Sequence, residues 1–175
     1  RLHPEDDQER AVEEKDRLDQ VELPDGKTAD REVVYHPGGV AVLALDRDNS
    51  VSLVRQFRYP IRQELLELPA GKLDHGTEED PLVGAKRELS EEAGLEAAHW
   101  TYLGCILASP GFSSEVLHMY LARQLTPTPR HPDEDEFLDV LTMPFDELFA
   151  QVMDGTVTDA KTVATVLKTK YLLGL

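Results

Sequence analysis

A single cysteine, Cys105, in 175 residues rules out an internal disulfide and suits a reducing compartment. It lies in the apolar run 103–107 and is expected to be a buried packing residue. Basic residues are also scarce: 18 against 34 acidic, a net charge of −16. That excludes non-specific binding to nucleic acid or an anionic membrane, both of which need basic patches. No apolar stretch approaches the roughly 20 residues of a membrane span, and no signal peptide is visible. His3, His36, His75, His99, His118 and His131 form no pair at helical spacing, and there is no Cys/His cluster. A zinc site is therefore not expected. No internal repeat is present. The simplest expectation is one cytoplasmic domain with a substantial core.

What the chain does contain is concentrated in residues 71–95, GKLDHGTEEDPLVGAKRELSEEAGL. Glu88, Glu91 and Glu92 put three carboxylates within five positions of one short helix. Asp80 can cap that helix, Pro81 suits its first turn, and Gly94 can end it. Leu82, Ala85, Leu89 and Ala93 fall on one face, and Glu88 and Glu92 stack on a neighbouring face. Arg87 lies four residues before Glu91 and can pair with it. The glutamates are expected to be exposed, so that neutralising one costs the fold only about 0.5 kcal/mol. Carboxylates one turn apart repel, and a divalent cation would remove that penalty. Hard, oxygen-seeking ions such as Mg²⁺ or Mn²⁺ suit such ligands and suit phosphate substrates. Taken alone, a run of this kind is more often a solvated acidic helix face.

Along the rest of the chain, residues 1–16 are charge-rich and are expected to be frayed or loosely helical. Residues 18–23 and 31–35 read as a hairpin-like strand pair about a Pro24-Asp25-Gly26 turn. Residues 40–45 and 51–58 read as strands, followed by a short strand at 65–68 leading into Pro69-Ala70-Gly71. After the acidic helix come strands at 101–107 and 116–122. Residues 125–135 read as a Pro- and charge-rich loop, 137–143 as a final strand, and 144–153 and 159–172 as helices. Strands and helices interleave without a regular βαβ period, so the fold class is mixed α/β.

Residues 71–95 resemble the signature box of the Nudix hydrolases: a glycine, a spaced glutamate, then Arg-Glu-apolar-x-Glu-Glu-x-Gly-apolar. From Glu79 onward the spacing matches, with seven residues before Arg87-Glu88. Upstream the chain departs, because seven residues separate Gly71 from Glu79, a longer spacer than the family uses. The excess falls in the polar loop Asp74-His75-Gly76-Thr77, where insertion costs little. The resemblance implies an α/β/α sandwich with an N-terminal antiparallel strand extension.

Further features resemble the ADP-ribose pyrophosphatase branch of that family. Glu67-Leu68-Pro69-Ala70-Gly71 enters the box, and the resemblance makes the Ala70 carbonyl a metal ligand beside Glu88, Glu91 and Glu92. The residues alone equally allow an ordinary strand-to-loop turn. Pro110 stands sixteen residues beyond Gly94, in Ser109-Pro110-Gly111-Phe112-Ser113-Ser114-Glu115. There the backbone at Gly111 can approach a ligand closely, and Glu115 matches a substrate-contacting acid. Arg58 matches an arginine that touches the substrate's phosphates. The acidic segment 133–136 matches a loop whose glutamate activates water or completes the metal site. Glu134 and Glu136 are the candidates, with their roles interchangeable. Residues 18–35 hold no Phe or Trp to stack a base.

The expected function is therefore Mg²⁺-dependent hydrolysis of ADP-ribose to AMP and ribose 5-phosphate, with Mn²⁺ as a substitute ion. The alternatives are the same chemistry on a nucleotide sugar or dinucleotide cofactor, and a non-catalytic nucleotide sensor. Residues 1–35 are expected to exchange between subunits of a homodimer, and residues 36–175 to form the hydrolase domain.

Overall fold

The computed structural model describes residues 15–131 and 137–174. Among them are nine strands and three α-helices. The central strand, β3 (Gly39–Leu45), is buried along its whole length. An uninterrupted apolar run of this kind belongs to a strand covered on both faces. Its side chains alternate between two cores. Leu43 and Leu45 join Leu53, Leu121, Phe145, Leu148 and Val166 on one face. Val40, Val42 and Ala44 join Ala85, Leu89, Ala93 and Tyr120 on the other. These two cores set the layers: α1 (Pro81–Ala93) covers one face of the sheet, and α2 (Phe145–Met153) with α3 (Ala160–Leu173) covers the other. The expected mixed α/β sandwich is what forms.

The seven-stranded sheet divides, and the division makes room for a site. β3 pairs in parallel with β8 (Leu117–Pro127) along its full length. On its other edge, β3 meets β4 (Ser50–Arg58) only at Ala44–Ser52 and Leu45–Val51. Beyond that point the two strands part. The outer half of β4 pairs with β5 (Gln63–Glu67), whereas β6 (Ala70–Lys72) takes the vacated edge of β3. The chain crosses the gap at Leu68-Pro69, where the Pro69 carbonyl accepts the Val42 N–H at 2.9 Å. β9 (Leu138–Pro144) closes the far edge of β4, and β7 (Leu95–Ile106) closes that of β8.

α1 is capped as its residues dictate. The Asp80 carboxylate accepts the Leu82 N–H at 2.9 Å, and Pro81 occupies the first turn. The apolar stripe packs inward, with Ala85 and Leu89 fully buried. Gly94 ends the helix with φ +65°.

Several expectations need correction. Lys15 and Asp16 are the start of β1 (Lys15–Glu22), not frayed chain, because each pairs with β2 (Thr28–Tyr35). Residues 125–127 are strand, since Leu125, Thr126 and Pro127 pair with Ala97, Glu96 and Leu95. Pro127 is tolerated because it ends its strand. Ala70–Lys72 is a short strand, where the residues alone had equally allowed an ordinary strand-to-loop turn. Cys105 is exposed, not buried. The register of β7 slips between Tyr102 and Gly104, so Leu103 and Ile106 both pack inward and Cys105 is turned out. Phe137 precedes β9 and is solvent-exposed.

The β1–β2 hairpin forms a sheet of its own. It is stitched to the body by Val34, whose N–H donates to Phe112 O at 2.7 Å and whose carbonyl accepts from Ser114 N at 3.0 Å.

The close of α1 can be tested. A Cβ at Gly94 would stand 2.9 Å from Thr128 O and 2.6 Å from Arg130 Cγ, in a backbone conformation that only glycine adopts freely. Gly94→Ala should cost about 1–2 kcal/mol. In urea unfolding it should lower the midpoint and leave the m-value unchanged.

Candidate active site

A cleft of about 430 Å³ lies beside the point where β3 and β4 part. One wall is acidic: Glu88, Glu91 and Glu92 of α1. Arg58 of β4, Lys72 of β6 and Lys161 of α3 also line it, as do Ala70, Gly71, His36 and Glu115. Folding thus gathers Arg58, Ala70, Glu88, Glu91, Glu92 and Glu115 into one cavity, from two strands, one loop and one helix. Gly111 does not join them among the lining residues; it is exposed, with open space around its Cα. Glu134 and Glu136 lie outside the described residues.

The glutamates are not the surface charges that were expected. Glu88 is 6% exposed and Glu92 2%. The Glu92 carboxylate accepts the Ala70 N–H at 2.8 Å, tying the helix to β6. The stripe of small and apolar residues seats α1 so deeply on the sheet that the neighbouring face is covered too. Arg87 holds the charges together. It donates to Glu88 at 2.7 Å, to Glu91 at 3.1 Å and to the Lys72 carbonyl at 2.9 Å. It also pairs with Asp74 at 3.0 Å and comes within 3.9 Å of Glu79. Burial works against the Arg87 charge, but Glu88, Asp74 and Glu91 outweigh it and hold the pKa above the usual arginine value. The extra residues of the box are anchored here as well, through the Asp74 N–H donated to Glu79 at 2.5 Å. Glu79 therefore serves as a clamp on the loop and on Arg87.

Gly71 leaves the Glu88 carboxylate its place. A Cβ on Gly71 would stand 2.0 Å from Glu88 Oε1. Three carboxylates around this cradle, beside a strand backbone, form a hard oxygen donor set that suits Mg²⁺ or Mn²⁺. Among the described residues, no group of three or more His, Cys, Asp or Glu side chains is already gathered as a metal cage. Glu88 and Glu91 are turned onto Arg87 instead.

A second charged network was not anticipated. Glu67 is 1% exposed and carries two cations. Arg58 grips it in bidentate fashion, Nε and Nη2 each at 2.7 Å, and Lys161 donates to the same carboxylate. Lys161 also donates to Asp159 at 2.9 Å, and Asp159 caps α3 by accepting the Thr162 N–H at 3.0 Å. Burial pushes the Glu67 pKa up, but the Arg58 hydrogen bonds and the Lys161 charge outweigh it, and the net shift is downward. Arg58 is raised, chiefly by its hydrogen bond to Glu67. The sequence held one signal for this network, a lone carboxylate in the apolar run Leu65-Leu66-Glu67-Leu68. Nothing in the sequence marked Lys161 or His36.

Residues 35–166 match the NUDIX domain. The chain belongs to the Nudix family and is a Nudix hydrolase. A methanol dehydrogenase activator of Bacillus methanolicus is 42% identical over 152 residues, covering 86% of this chain and 81% of that protein. An ADP-ribose pyrophosphatase of Bacillus subtilis is 41% identical over 151 residues, covering 85% and 80%. Among solved structures, an ADP compounds hydrolase superposes with a TM-score of 0.78 at 23% identity, covering 94% of this chain and 89% of that one. That likeness speaks for the Nudix fold. No helix among the described residues is long and apolar enough to cross a membrane.

The Glu67 network of this Nudix hydrolase predicts a pH dependence. Because the folded pKa of Glu67 is lowered, ionised Glu67 favours the folded state. Its contribution is complete above the unfolded value near 4.5 and is lost as pH falls through the folded value. Glu67→Gln leaves Arg58 and Lys161 short of charge. It should destabilise by roughly 2–3 kcal/mol near neutrality, less than for a wholly buried pair because Arg58 can turn to solvent. Urea midpoints should show the gap to wild type narrowing as pH falls below the unfolded value and Glu67 takes up its proton.

Proposed function

We propose that this Nudix hydrolase cleaves the diphosphate of ADP-ribose to AMP and ribose 5-phosphate in the presence of Mg²⁺, with Mn²⁺ as a substitute. The observation that carries the reading is the juxtaposition in one cleft of the Glu88, Glu91 and Glu92 carboxylates with Arg58 and Lys161. A diphosphate needs both: carboxylates to hold a cation, and fixed cations against its oxygens. The Bacillus subtilis relative named ADP-ribose pyrophosphatase supports the choice of substrate.

Glu88, Glu91, Glu92 and the Ala70 carbonyl would hold the ion. Bound there, it supplies positive charge against the diphosphate oxygens and Lewis-acid polarisation. Glu88 and Glu91 are freed for this role when Arg87 releases them. Arg58 has Nε and Nη2 committed to Glu67, which leaves its Nη1 edge for a phosphoryl oxygen as negative charge develops. Lys161, steadied by Glu67 and Asp159, adds a second charge at the same end of the cleft. Glu134 or Glu136 takes the proton of the attacking water, and the other completes the donor set. Glu115 and the Gly111 backbone hold the sugar-bearing part of the substrate.

Residues 36–175 form the hydrolase domain in this reading, and residues 1–35 the segment exchanged in a homodimer. The support is the separate hairpin sheet and the apolar side chains left uncovered beside it, Leu18 of β1 at 66% and Phe112 of the loop bonded to β2 at 56% exposure. An isolated hairpin is marginal in water and needs a surface to pack on. Cys105, free and exposed, is consistent with cytoplasmic residence.

Assay of AMP release from ADP-ribose, beside a nucleotide sugar and a dinucleotide, tests the substrate. ADP-ribose should give the highest kcat/KM, with turnover abolished by chelation. Glu92→Gln should lose orders of magnitude in kcat while keeping its melting temperature within a few degrees, because glutamine can still accept the Ala70 N–H. Near-normal turnover at saturating Mg²⁺ would remove Glu92 from the metal site, and no turnover of any compound by wild type would favour a sensor.

The dimer predicts a second result. Light scattering on the intact chain should give twice the monomer mass at micromolar concentration. Leu18→Glu should shift it toward monomer and raise KM. A clean monomer with full activity would rule out the exchange.

A further inference from the structure

His36 lies between the hairpin and β3, and it is held at two points. Its backbone N–H donates to Ser114 Oγ at 2.9 Å. Its Nδ1 accepts the Gly38 N–H at 3.0 Å. An imidazole nitrogen that accepts cannot carry the proton, so the neutral ring carries its hydrogen on Nε2. That Nε2–H faces Glu115, with Nε2 and Oε1 3.9 Å apart and the two side chains 11% and 24% exposed. The distance exceeds that of a hydrogen bond, and a movement of about 1 Å would close it.

Glu115 has little else to orient it. Its Oε1 stands beside Gly39, 3.7 Å from where a Cβ would lie, an ordinary contact distance. Among the described residues, His36 is the ionisable or hydrogen-bonding partner that its carboxylate meets. The loop that carries Glu115 is fastened to the same segment as His36, through the Val34–Phe112, Ser114–Val34 and His36–Ser114 bonds. The backbones that carry the histidine and the carboxylate are therefore held against one another, and only the side chains need shift to meet. A carboxylate repels phosphate and accepts from hydroxyls, so in this cleft it suits the hydroxyl-bearing part of a nucleoside diphosphate.

We propose that His36 is a positioning residue for substrate, its Nε2–H orienting the Glu115 carboxylate toward the sugar hydroxyls of the bound nucleoside diphosphate. The inference rests on the substrate role assigned to Glu115 above and gives that role an orienting donor.

Two substitutions separate positioning from mere structure. In His36→Gln the terminal amide nitrogen reaches the place of Nε2, which keeps the donor to Glu115 and gives up the Gly38 acceptor. In His36→Asn the amide oxygen stands near Nδ1, which keeps the Gly38 bond and removes the donor. Steady-state kinetics on ADP-ribose, or on whichever nucleoside diphosphate compound wild type turns over best, should show His36→Asn losing roughly tenfold or more in kcat/KM. The loss should fall mainly in KM. His36→Gln should recover most of it. His36→Asn combined with Glu115→Gln should be no worse than Glu115→Gln alone. If His36→Asn is normal, or if the two losses multiply in the double variant, the inference is overturned and the Glu115 assignment stands. If Glu115→Gln itself keeps wild-type kcat/KM, that assignment fails and the inference fails with it.

Discussion

Arg87 is the residue on which the site depends. Two like charges about 4 Å apart repel by about 4 kcal/mol at the effective dielectric of a protein surface. α1 nevertheless buries Glu88 and Glu92 and sets Glu91 beside them. One guanidinium makes this tolerable by meeting Glu88, Glu91 and Asp74, with Glu79 near, and it also takes the Lys72 carbonyl. Helix, loop and β6 therefore converge on one planar group, whose fixed fork can serve several oxygens at once as lysine cannot. The insertion between Gly71 and Glu79 is accommodated because its Asp74 is drawn into the same cluster. A bound divalent cation would take over part of this neutralisation, which makes the arrangement an exchange of one counter-charge for another.

The Glu67 network does the corresponding work at the other end of the cleft. Arg58, Glu67, Lys161 and Asp159 contain two charges of each sign, so two cations stand beside the cleft without a net charge to bury. The same residues dock α3, since the Asp159 cap leads to Thr162, whose Oγ1 accepts the Leu68 N–H at 3.0 Å. Stability and charge placement are thus linked through one buried carboxylate. Acidification acts on that carboxylate in both respects.

Much of this was readable in order along the chain. The cap, first turn and end of α1 follow from Asp80, Pro81 and Gly94, because capping is local hydrogen bonding and glycine alone enters the left-handed region cheaply. Residues 40–45 were legible as a strand, but its burial on both faces came from the structure. Boundaries were less legible. β7 and β8 are longer than their apolar patterns because partner strands, not propensity, recruit Glu96, Thr126 and Pro127. Cys105 misled because a one-residue slip in register turns a side chain over, and the slip leaves no clear mark in an apolar run.

The sequence by itself determined the acidic helix, its capping, the mixed α/β class and the family, since each rests on residues adjacent in the chain or at fixed spacing. It also supplied Arg58, Ala70, Glu88, Glu91, Glu92 and Glu115 as candidates. Only the tertiary structure decided that these six share a cleft, that Glu88 and Glu92 are buried, and that Arg58 is gripped by Glu67. It alone brought Lys161 and His36 to the same place. The reason is physical: burial and ion pairing depend on distance in space, and Glu67 and Lys161 meet although they stand 94 positions apart in the chain. No local pattern encodes that distance; the divided sheet, with β6 filling the gap left between β3 and β4, sets it.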